Sequence, residues 1–325
     1  MATLKDVSKE TGLSIGTISR VLNSRGYISE ETKAKVFQAM KKLNYQPNEL
    51  ARALSKSSSS VIGVIAPSIR HPYFANLVES IEGTAGRAGY QVLLLLSNGK
   101  KEKEATLLEQ CKKNRVMGII LCSGLFSTSR LKDMDIPVVT IERMREHATA
   151  SVECDNKQGG KIAAEHLIAK GCKNLLHVAG VQGSTMPADK RSQGFLQVCE
   201  KMHVIHHEIS FSETMYENME YHDFFNNLLK TFPQTDGIFC SSDVAAAQFI
   251  QVCHSMGIRI PEDIKVIGFD DIPLSRMTSP TLTTIHQPLK EMAEMAFTLL
   301  LGAKEGRMGP TSLTLNVTLI QREST

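Results

Sequence analysis

The spacing of apolar positions differs between the beginning of the chain and the rest. In the first 46 residues apolar side chains recur three and four positions apart, which is the period of a helix with one buried face. This pattern predicts three short helices. The first runs from Leu4 to Thr11 and stops at Gly12, Ser14 caps the second, and Ser29 caps the third.

From Val61 onwards the pattern changes to short, nearly continuous apolar runs with amphipathic helical stretches between them. The runs are VIGVIAP, YQVLLLLS, MGIILC and IPVVTIE, then NLLHVAG, DGIFCSS and IKVIGFDD. Strands of this kind with helical crossovers are typical of parallel sheets that are covered on both faces. Two such sets predict an α/β core of two doubly wound lobes behind an all-α head.

The second predicted helix begins unusually, with an apolar residue and a glycine, Ile15 and Gly16, which give it low intrinsic stability. Helix, glycine-containing turn and helix together are typical of the helix-turn-helix motif, whose second helix enters the major groove by its N-terminal end. There Ile15 would contact a thymine methyl and Arg20 a guanine, while Thr17 and Ser19 would bind phosphates. A three-helix bundle without a ligand is the alternative.

Charge supports a polyanionic partner for the head. Residues 1–60 contain ten Lys or Arg and five Asp or Glu, a net charge of +5, whereas the other 265 residues contain 27 and 29, a net charge of −2. A solvated basic face is the simpler explanation of such an excess, so the charge alone does not decide the partner.

Composition argues against several other classes of protein. The chain has no run of 18 apolar residues and no apolar signal-peptide core after its first residues, so we expect a cytoplasmic protein. Its seven cysteines form no CxxC pair, and we expect buried thiols rather than disulfides or a metal site. No dinucleotide or phosphate-loop glycine motif follows a strand, and we expect neither a cofactor nor an enzyme.

The residues that follow the predicted strands are the candidates for a ligand site, because ligands of such sheets bind at the carboxyl ends of the strands. Aromatic rings, carboxylates, arginines and amides are collected there, a combination that suits a sugar. The candidates are Tyr73, Phe74, Asn98, Glu142, Arg143, Arg191, Phe239, Ser242 and Asp270. Asp243 is expected to cap the following helix instead.

The segment TLKDVSKETGLSIGTISRVLN, followed by YISEETKAKV and LNYQPNELARALS, resembles the DNA-binding domain of the lactose/galactose repressor family. The resemblance implies base contacts from Ile15, Gly16 and Arg20. It also implies a hinge helix that orders on the operator, where Leu54 enters the minor groove and Arg52 steadies phosphates. The predicted DNA-binding set is Ser14, Ile15, Gly16, Thr17, Ser19, Arg20, Asn23, Asn48, Ala51, Arg52 and Leu54.

The rest of the chain resembles the effector-binding core of the same family, which is similar to periplasmic sugar-binding proteins. Arg191 begins the family's RxxGF motif and Asp270 lies in its xGxDD run; both match effector contacts of the family, and Gln287 would lie near the hinge between the lobes. The implied division is 1–46 for the head, 47–60 for the hinge helix and linker, 61–157 with 289–325 for the first lobe, and 158–288 for the second.

These features together predict a DNA-binding repressor of a sugar-utilisation operon, controlled by a sugar or sugar phosphate bound between the lobes. The C-terminal segment carries no leucine-heptad tail of the kind that forms tetramers in some members, so a homodimer on a pseudo-palindromic operator is expected. A nucleobase effector is the main alternative; a periplasmic-type solute receptor and a nucleotide-dependent enzyme are weaker ones.

Overall fold

The computed structural model describes residues 2–22, 26–45, 60–122, 131, 134–143, 147–181, 186–307 and 309–325. The chain divides into two compact units, Met1–Ser59 and Ser60–Thr325. Five predicted DNA-binding residues lie outside the described residues: Asn23 and the predicted hinge residues Asn48, Ala51, Arg52 and Leu54.

The first unit contains the three predicted helices, α1 (Leu4–Thr11), α2 (Ile15–Leu22) and α3 (Glu30–Lys42). Gly12 ends α1 in the left-handed conformation at φ 69°, which a residue without a Cβ adopts at little cost. Ser29 caps α3 by accepting a hydrogen bond from the Thr32 backbone N–H. The helices enclose a small core of Val7, Ile18, Val21, Val36 and Ala39.

The first sheet of the second unit is wholly parallel and has the order β11-β5-β4-β3-β1-β2. Helices cover both of its faces, α4 and α11 on one side and α5 on the other. Its elements are β1 (Val61–Ala66), α4 (Pro72–Arg87), β2 (Gln91–Leu96), α5 (Lys101–Lys113), β3 (Ile119–Leu121), β4 (Val138–Ile141), β5 (Ala150–Cys154), α11 (Leu289–Lys304) and β11 (Ser312–Leu315).

The second sheet has the order β12-β10-β9-β8-β6-β7 and is parallel except for the β10–β12 pair. Its elements are α6 (Asn156–Ala169), β6 (Asn174–Val181), α7 (Lys190–Lys201), β7 (Ile205–Phe211), α8 (Glu213–Asn218), α9 (His222–Thr231), β8 (Gly237–Cys240), α10 (Asp243–Ser255), β9 (Lys265–Asp270), β10 (Thr283–His286) and β12 (Thr318–Ile320). The predicted architecture of two doubly wound lobes is therefore confirmed.

The chain passes between the lobes three times: from β5 to α6, from β10 to α11, and from β11 to β12. The last crossing corrects the predicted boundary. Residues 289–325 were assigned to the first lobe, but Thr318–Ile320 pair antiparallel with β10 of the second sheet. This edge strand has only three residues, too few for the sequence pattern to predict a strand there. No helix among the described residues is long and apolar enough to cross a membrane.

Candidate functional site

The N-terminal end of α2 presents the surface that the sequence predicts for DNA. Ser14 Oγ accepts a hydrogen bond from the Thr17 backbone N–H at 3.1 Å, which caps the helix. Ile15 is 43% exposed, and Gly16 and Arg20 are exposed beside it. On the opposite face of the same helix Ile18 is fully buried. Packing therefore leaves Ile15 exposed in the first turn of this short, capped helix and Arg20 exposed in its last turn.

Two exposed aromatic residues of the head are not among the predicted contacts, Phe37 on α3 and Tyr27. Tyr27 lies before the Ser29 cap, and its side chain is 99% exposed. A wholly exposed phenol packs against nothing in its own unit, and its hydroxyl can donate to a phosphate oxygen. The signal was present in the sequence as a lone tyrosine in the polar segment YISEE.

In the second unit, three contacts fix the guanidinium of Arg191 near the strand ends. Its Nε donates to Asn156 Oδ1 at 2.7 Å, its Nη1 donates to the Ser241 carbonyl at 2.7 Å, and the guanidinium lies 3.5 Å from the centre of the Phe269 ring. The glycine of the RxxGF motif, Gly194, allows this placement, because a Cβ there would collide with the Lys157 carbonyl of α6. The motif therefore brings α7 against α6 and fixes Arg191 at the start of its helix.

Asp270 ends β9 and lies close to Arg191. Its Oδ1 accepts a hydrogen bond from Gln287 Nε2 at 2.7 Å. Burial raises the pKa of Asp270 to about 7, although the positive charge of Arg191 and the bond from Gln287 oppose that shift. Asp270 and Asp271 both have positive φ, 121° and 56°, which is strained backbone of the kind that concentrates at functional sites.

Glu142, which follows β4, is joined to this pair through Asn156. Its Oε1 accepts from the Cys154 backbone N–H at 2.5 Å and its Oε2 from Asn156 Nδ2 at 2.8 Å. The other end of the Asn156 amide accepts from Arg191. One amide at the first crossing between the lobes therefore connects a first-lobe carboxylate with a second-lobe guanidinium, and its O and N assignment is set by these two charged partners.

Two aromatic residues at the start of α4 complete the first-lobe side. Tyr73 and Phe74 are both buried and meet edge to face with ring centres 5.0 Å apart. The pKa of Tyr73 is raised well above its usual value by burial first, and then by the negative charges of Glu142 and Asp270. The Tyr73 hydroxyl has no hydrogen-bond partner among the described residues. It is therefore a buried polar group that faces two carboxylates.

Several contacts hold the two lobes together around these residues. Arg70 Nη2 donates to the Glu217 carbonyl at 3.2 Å, and the His71 ring stacks on Tyr216 with centres 6.3 Å apart. Arg143 reaches across with its Nη1, 3.7 Å from the sulfur of Met186, while its Nε donates to the Cys122 carbonyl at 3.0 Å. This site, which we call the cleft, lies between α4, β4 and β5 of one lobe and α7, α8 and β9 of the other.

Three predicted ligand residues, Phe239, Ser242 and Asn98, have other surroundings than the residues of the cleft described above. Phe239 is fully buried inside the second lobe, stacked on His177 with centres 4.7 Å apart, so the prediction that it stacks on an effector is not supported in this conformation. Ser242 caps α10 by accepting from the Ala245 N–H at 3.2 Å. Asn98 is exposed after β2, with φ 52°.

The predicted cap of α10 is wrong. Ser242 takes that position, and Asp243 is fully buried instead, accepting from the Ile272 N–H at 2.9 Å and from Thr284 Oγ1 at 2.5 Å. Burial and the nearby Asp270 raise the pKa of Asp243 well above its usual value. Its carboxylate therefore orders the backbone just after the strained Asp270 and Asp271 pair.

Four residues of the cleft were not predicted: His71, Asn156, Tyr216 and Phe269. His71 and Asn156 lie at the starts of α4 and α6, where a polar residue ordinarily serves the helix end. Phe269 immediately precedes Asp270 within an apolar strand, and Tyr216 lies on the short helix α8. Phe269 directly before Asp270 and His71 two residues before Tyr73 both lie at predicted strand ends and so offered a signal, whereas Asn156 and Tyr216 lie outside the strand ends on which the prediction relied.

The comparisons with known proteins agree with both units. Residues 3–48 match the family model described as "Bacterial regulatory proteins, lacI family", and residues 164–325 match a "Periplasmic binding protein-like domain". The chain is similar to the lac repressor dimer bound to operator and the anti-inducer ONPF, with a TM-score of 0.88 and 25% identity, covering 100% of this chain and 99% of that one.

Curated relatives cover nearly the whole chain. A ribose operon repressor of Halalkalibacterium halodurans is 38% identical over 93% of this chain and 90% of that protein, and one of Bacillus subtilis is 36% identical over 100% and 99%. The HTH-type transcriptional repressor PurR of Yersinia enterocolitica is 31% identical over 100% and 97%. The resemblance seen in the sequence is thus confirmed: the chain belongs to the LacI family of bacterial regulatory proteins and is a DNA-binding repressor of the LacI type.

Proposed function

We propose that this repressor controls a sugar-utilisation operon and that its effector is a neutral pentose bound in the cleft. The observation that carries the proposal is the convergence of Arg191 and Asp270 with buried polar groups that have no hydrogen-bond partner in the described part of the chain, among them the Tyr73 hydroxyl and Gln287 Oε1. Such groups favour a ligand with many hydroxyls, because each hydroxyl both donates and accepts.

The charges of the cleft favour a neutral ligand over a sugar phosphate. Two carboxylates, Glu142 and Asp270, lie among two guanidiniums, Arg143 and Arg191. Arg191 is already engaged by an amide, a carbonyl and an aromatic ring. A phosphate dianion would need a surplus of positive charge at this point, which these four side chains do not supply.

The names of the relatives support a pentose in particular. The two relatives at 38% and 36% identity are ribose operon repressors. A periplasmic binding protein/LacI transcriptional regulator from Alkaliphilus metalliredigens QYMF was solved with D-xylulofuranose; it is 30% identical, with a TM-score of 0.73, covering 82% of this chain and 99% of that one. D-ribose is therefore the first probe.

The effector would act by changing the balance between two arrangements of the lobes. A ligand held by Arg191 on one side and Tyr73 on the other binds one arrangement more tightly and shifts the population towards it. In our proposal the repressor is a cytoplasmic homodimer on a pseudo-palindromic operator, because one recognition helix contacts too little duplex alone. The hinge helix within 47–60 and the contacts of Arg52 and Leu54 are part of this proposal.

Calorimetry and operator binding on the full chain test it together. D-ribose should bind at one site per chain, and it should change the affinity for duplexes selected by the protein from a random-sequence pool. Hypoxanthine is the control. Heat of binding with D-ribose but unchanged DNA affinity would contradict effector control, and a response to hypoxanthine alone would replace the pentose with a nucleobase.

A further inference from the structure

His71 stands immediately before α4 and serves as its cap. Nδ1 of the ring accepts a hydrogen bond from the Tyr73 backbone N–H at 3.3 Å. A ring nitrogen that accepts this bond carries no proton, so in the neutral ring the proton lies on Nε2. Burial lowers the pKa of His71 to about 4, and the ring is therefore neutral at physiological pH. The helix cap thus fixes one tautomer, with Nε2–H as a donor.

That donor is left without an acceptor. His71 is 7% exposed, and its Nε2 has no hydrogen-bond partner among the residues that the structure describes. Buried donors are almost always paired, by protein groups, water or ligand. An orphaned group of this kind calls for a specific partner.

His177 provides an internal comparison. It is also fully buried, and burial lowers its pKa to about 4 as well. Both of its nitrogens are paired, however: Nδ1 lies 3.0 Å from the Phe239 carbonyl and Nε2 lies 3.0 Å from Ser192 Oγ. The second lobe therefore pairs both nitrogens of a buried histidine. Burial alone does not leave a histidine nitrogen unpaired in this protein, so the unpaired Nε2 of His71 among the described residues reflects its position in the cleft.

The position of His71 links it to the other unpaired groups. Its ring meets Phe74 edge to face at 5.9 Å and stacks on Tyr216 of the opposite lobe. Phe74 in turn packs on Tyr73, whose hydroxyl is unpaired, and Asp270 accepts from Gln287, whose Oε1 is unpaired. Together these atoms offer a donor, a hydroxyl and an acceptor within one cleft.

We propose that His71 determines effector specificity by donating a hydrogen bond from Nε2 to an oxygen of the bound sugar. The sugar hydroxyl that accepts from His71 retains its own proton, which it can donate to an acceptor such as Gln287 Oε1. A ligand atom without a lone pair at that point leaves the His71 donor buried and unpaired, and this disfavours analogues that lack the hydroxyl. The proposal rests on the proposed function, a sugar bound in the cleft.

Two substitutions distinguish the role of Nε2 as a donor to the sugar from the role of Nδ1 as the cap of α4. Serine and asparagine are both good N-cap residues, so His71→Ser and His71→Asn keep an acceptor for the Tyr73 N–H. Serine has no second group that reaches the Nε2 position, whereas asparagine retains an amide donor on a shorter side chain. Both variants should melt close to the wild-type protein, which shows that the cap is intact.

The test measures the affinity of the full chain for D-ribose and for its 1-deoxy, 2-deoxy, 3-deoxy and 5-deoxy analogues by calorimetry, so that each hydroxyl of the furanose is removed in turn. His71→Ser should bind D-ribose roughly 3- to 10-fold more weakly than the wild type. For one of the deoxy analogues the wild type and His71→Ser should have the same affinity, because that analogue lacks the hydroxyl that pairs with His71. Equal affinity for D-ribose, or the same loss for D-ribose and every analogue, would overturn the proposal.

A measurement on the wild-type chain tests the same His71 proposal and does not depend on whether a variant folds. In protein labelled with ¹⁵N-histidine, saturation with D-ribose should shift the Nε2 resonance of His71 and leave that of His177 in place. An unmoved His71 resonance with bound D-ribose overturns the His71 proposal alone. A wild-type chain that does not bind D-ribose overturns the proposed function, and the His71 proposal falls with it.

Discussion

The two walls of the cleft satisfy their polar groups to different degrees. On the second-lobe wall Arg191 is held by Asn156, by the Ser241 carbonyl and by the Phe269 ring. On the first-lobe wall the Nε2 of His71 and the hydroxyl of Tyr73 are buried without partners among the described residues. Gln287 Oε1, at the crossing from β10 to α11, is a third such atom of the cleft and belongs to the passage between the lobes. The second-lobe wall, which we call the held wall, is already ordered to orient a ligand. The first-lobe wall, which we call the unsatisfied wall, gains the most hydrogen bonds when a ligand binds.

The largest effect should follow from breaking the held wall at Arg191. Arg191→Ala removes the guanidinium from a buried network, and we expect D-ribose affinity to fall by at least about 100-fold. Arg191→Lys keeps the charge but loses the planar fork, so it should recover little. Lys201→Met, an exposed change at the far end of the same helix, is the matched control.

Calorimetry with D-ribose decides between these outcomes. If Arg191→Lys bound D-ribose as the wild type does, the three contacts of the guanidinium would be unnecessary for binding. The comparison between the walls would then lose its basis, because the held wall would contribute charge alone.

Asp270 gives the second effect, which depends on pH. In the free protein burial raises its pKa to about 7, so the carboxyl is partly protonated at neutral pH. Sugar hydroxyls that donate to the ionised carboxylate lower this pKa, and binding therefore releases a proton. Affinity for D-ribose should rise with pH below 7, by up to about tenfold per unit, and level off above it. Asp270→Asn should bind weakly at every pH while retaining its DNA affinity.

The same shift predicts the direction of a stability change in the free protein. The folded-state pKa of Asp270 lies above its unfolded value of 3.8, so the folded chain binds more protons, and stability falls as pH rises from about 4 to 7. Asp243, whose pKa is raised in the same direction, adds to the slope. Urea unfolding at several pH values should show a smaller slope for Asp270→Asn, and an unchanged slope would contradict the raised pKa.

An effect of intermediate size separates the cleft from the DNA-binding surface. Arg20 is exposed on α2, and Arg20→Ala should cost about 1–3 kcal/mol of operator binding and relax selectivity at one base position. D-ribose affinity should stay unchanged. Lys33→Ala on α3 is the control that removes a positive charge away from α2. Retained selectivity in Arg20→Ala would remove Arg20 from base readout.

Sequence patterns predicted ligand candidates on both walls, Arg191 and Asp270 on one and Tyr73 on the other, but neither the groups that hold Arg191 nor the unused donor of His71. The reason is geometric. Asp270 lies at the end of a predicted strand and Arg191 at the start of a glycine-containing helix motif, so topology alone brings them together. Phe239 lies on a strand buried on both faces, where alternation does not tell which side chain faces a ligand. His71 stands at a helix start, where the sequence indicates a cap but not the unused nitrogen.

The smallest effect should come from Tyr73→Phe, which removes one oxygen atom from the unsatisfied wall. The buried hydroxyl has no partner among the residues that the structure describes, so its loss should leave stability unchanged or raise it by up to about 1 kcal/mol. In the complex the hydroxyl would pair with the sugar, and D-ribose affinity should fall roughly 3- to 10-fold. Stability and affinity are then expected to change in opposite directions, which loss of packing does not produce.

Tyr90→Phe is the matched control for this substitution. Tyr90 lies in the same lobe against Phe297, with ring centres 5.5 Å apart, and removing its hydroxyl should leave D-ribose affinity unchanged. Thermal melts and calorimetry on both variants complete the comparison. If Tyr73→Phe were destabilised by about 1–3 kcal/mol, as expected when a paired buried group is lost, its hydroxyl would already have a partner. The first-lobe wall would then keep a single unpaired group, His71 Nε2, and the gain on binding at this wall would have to come from His71 alone.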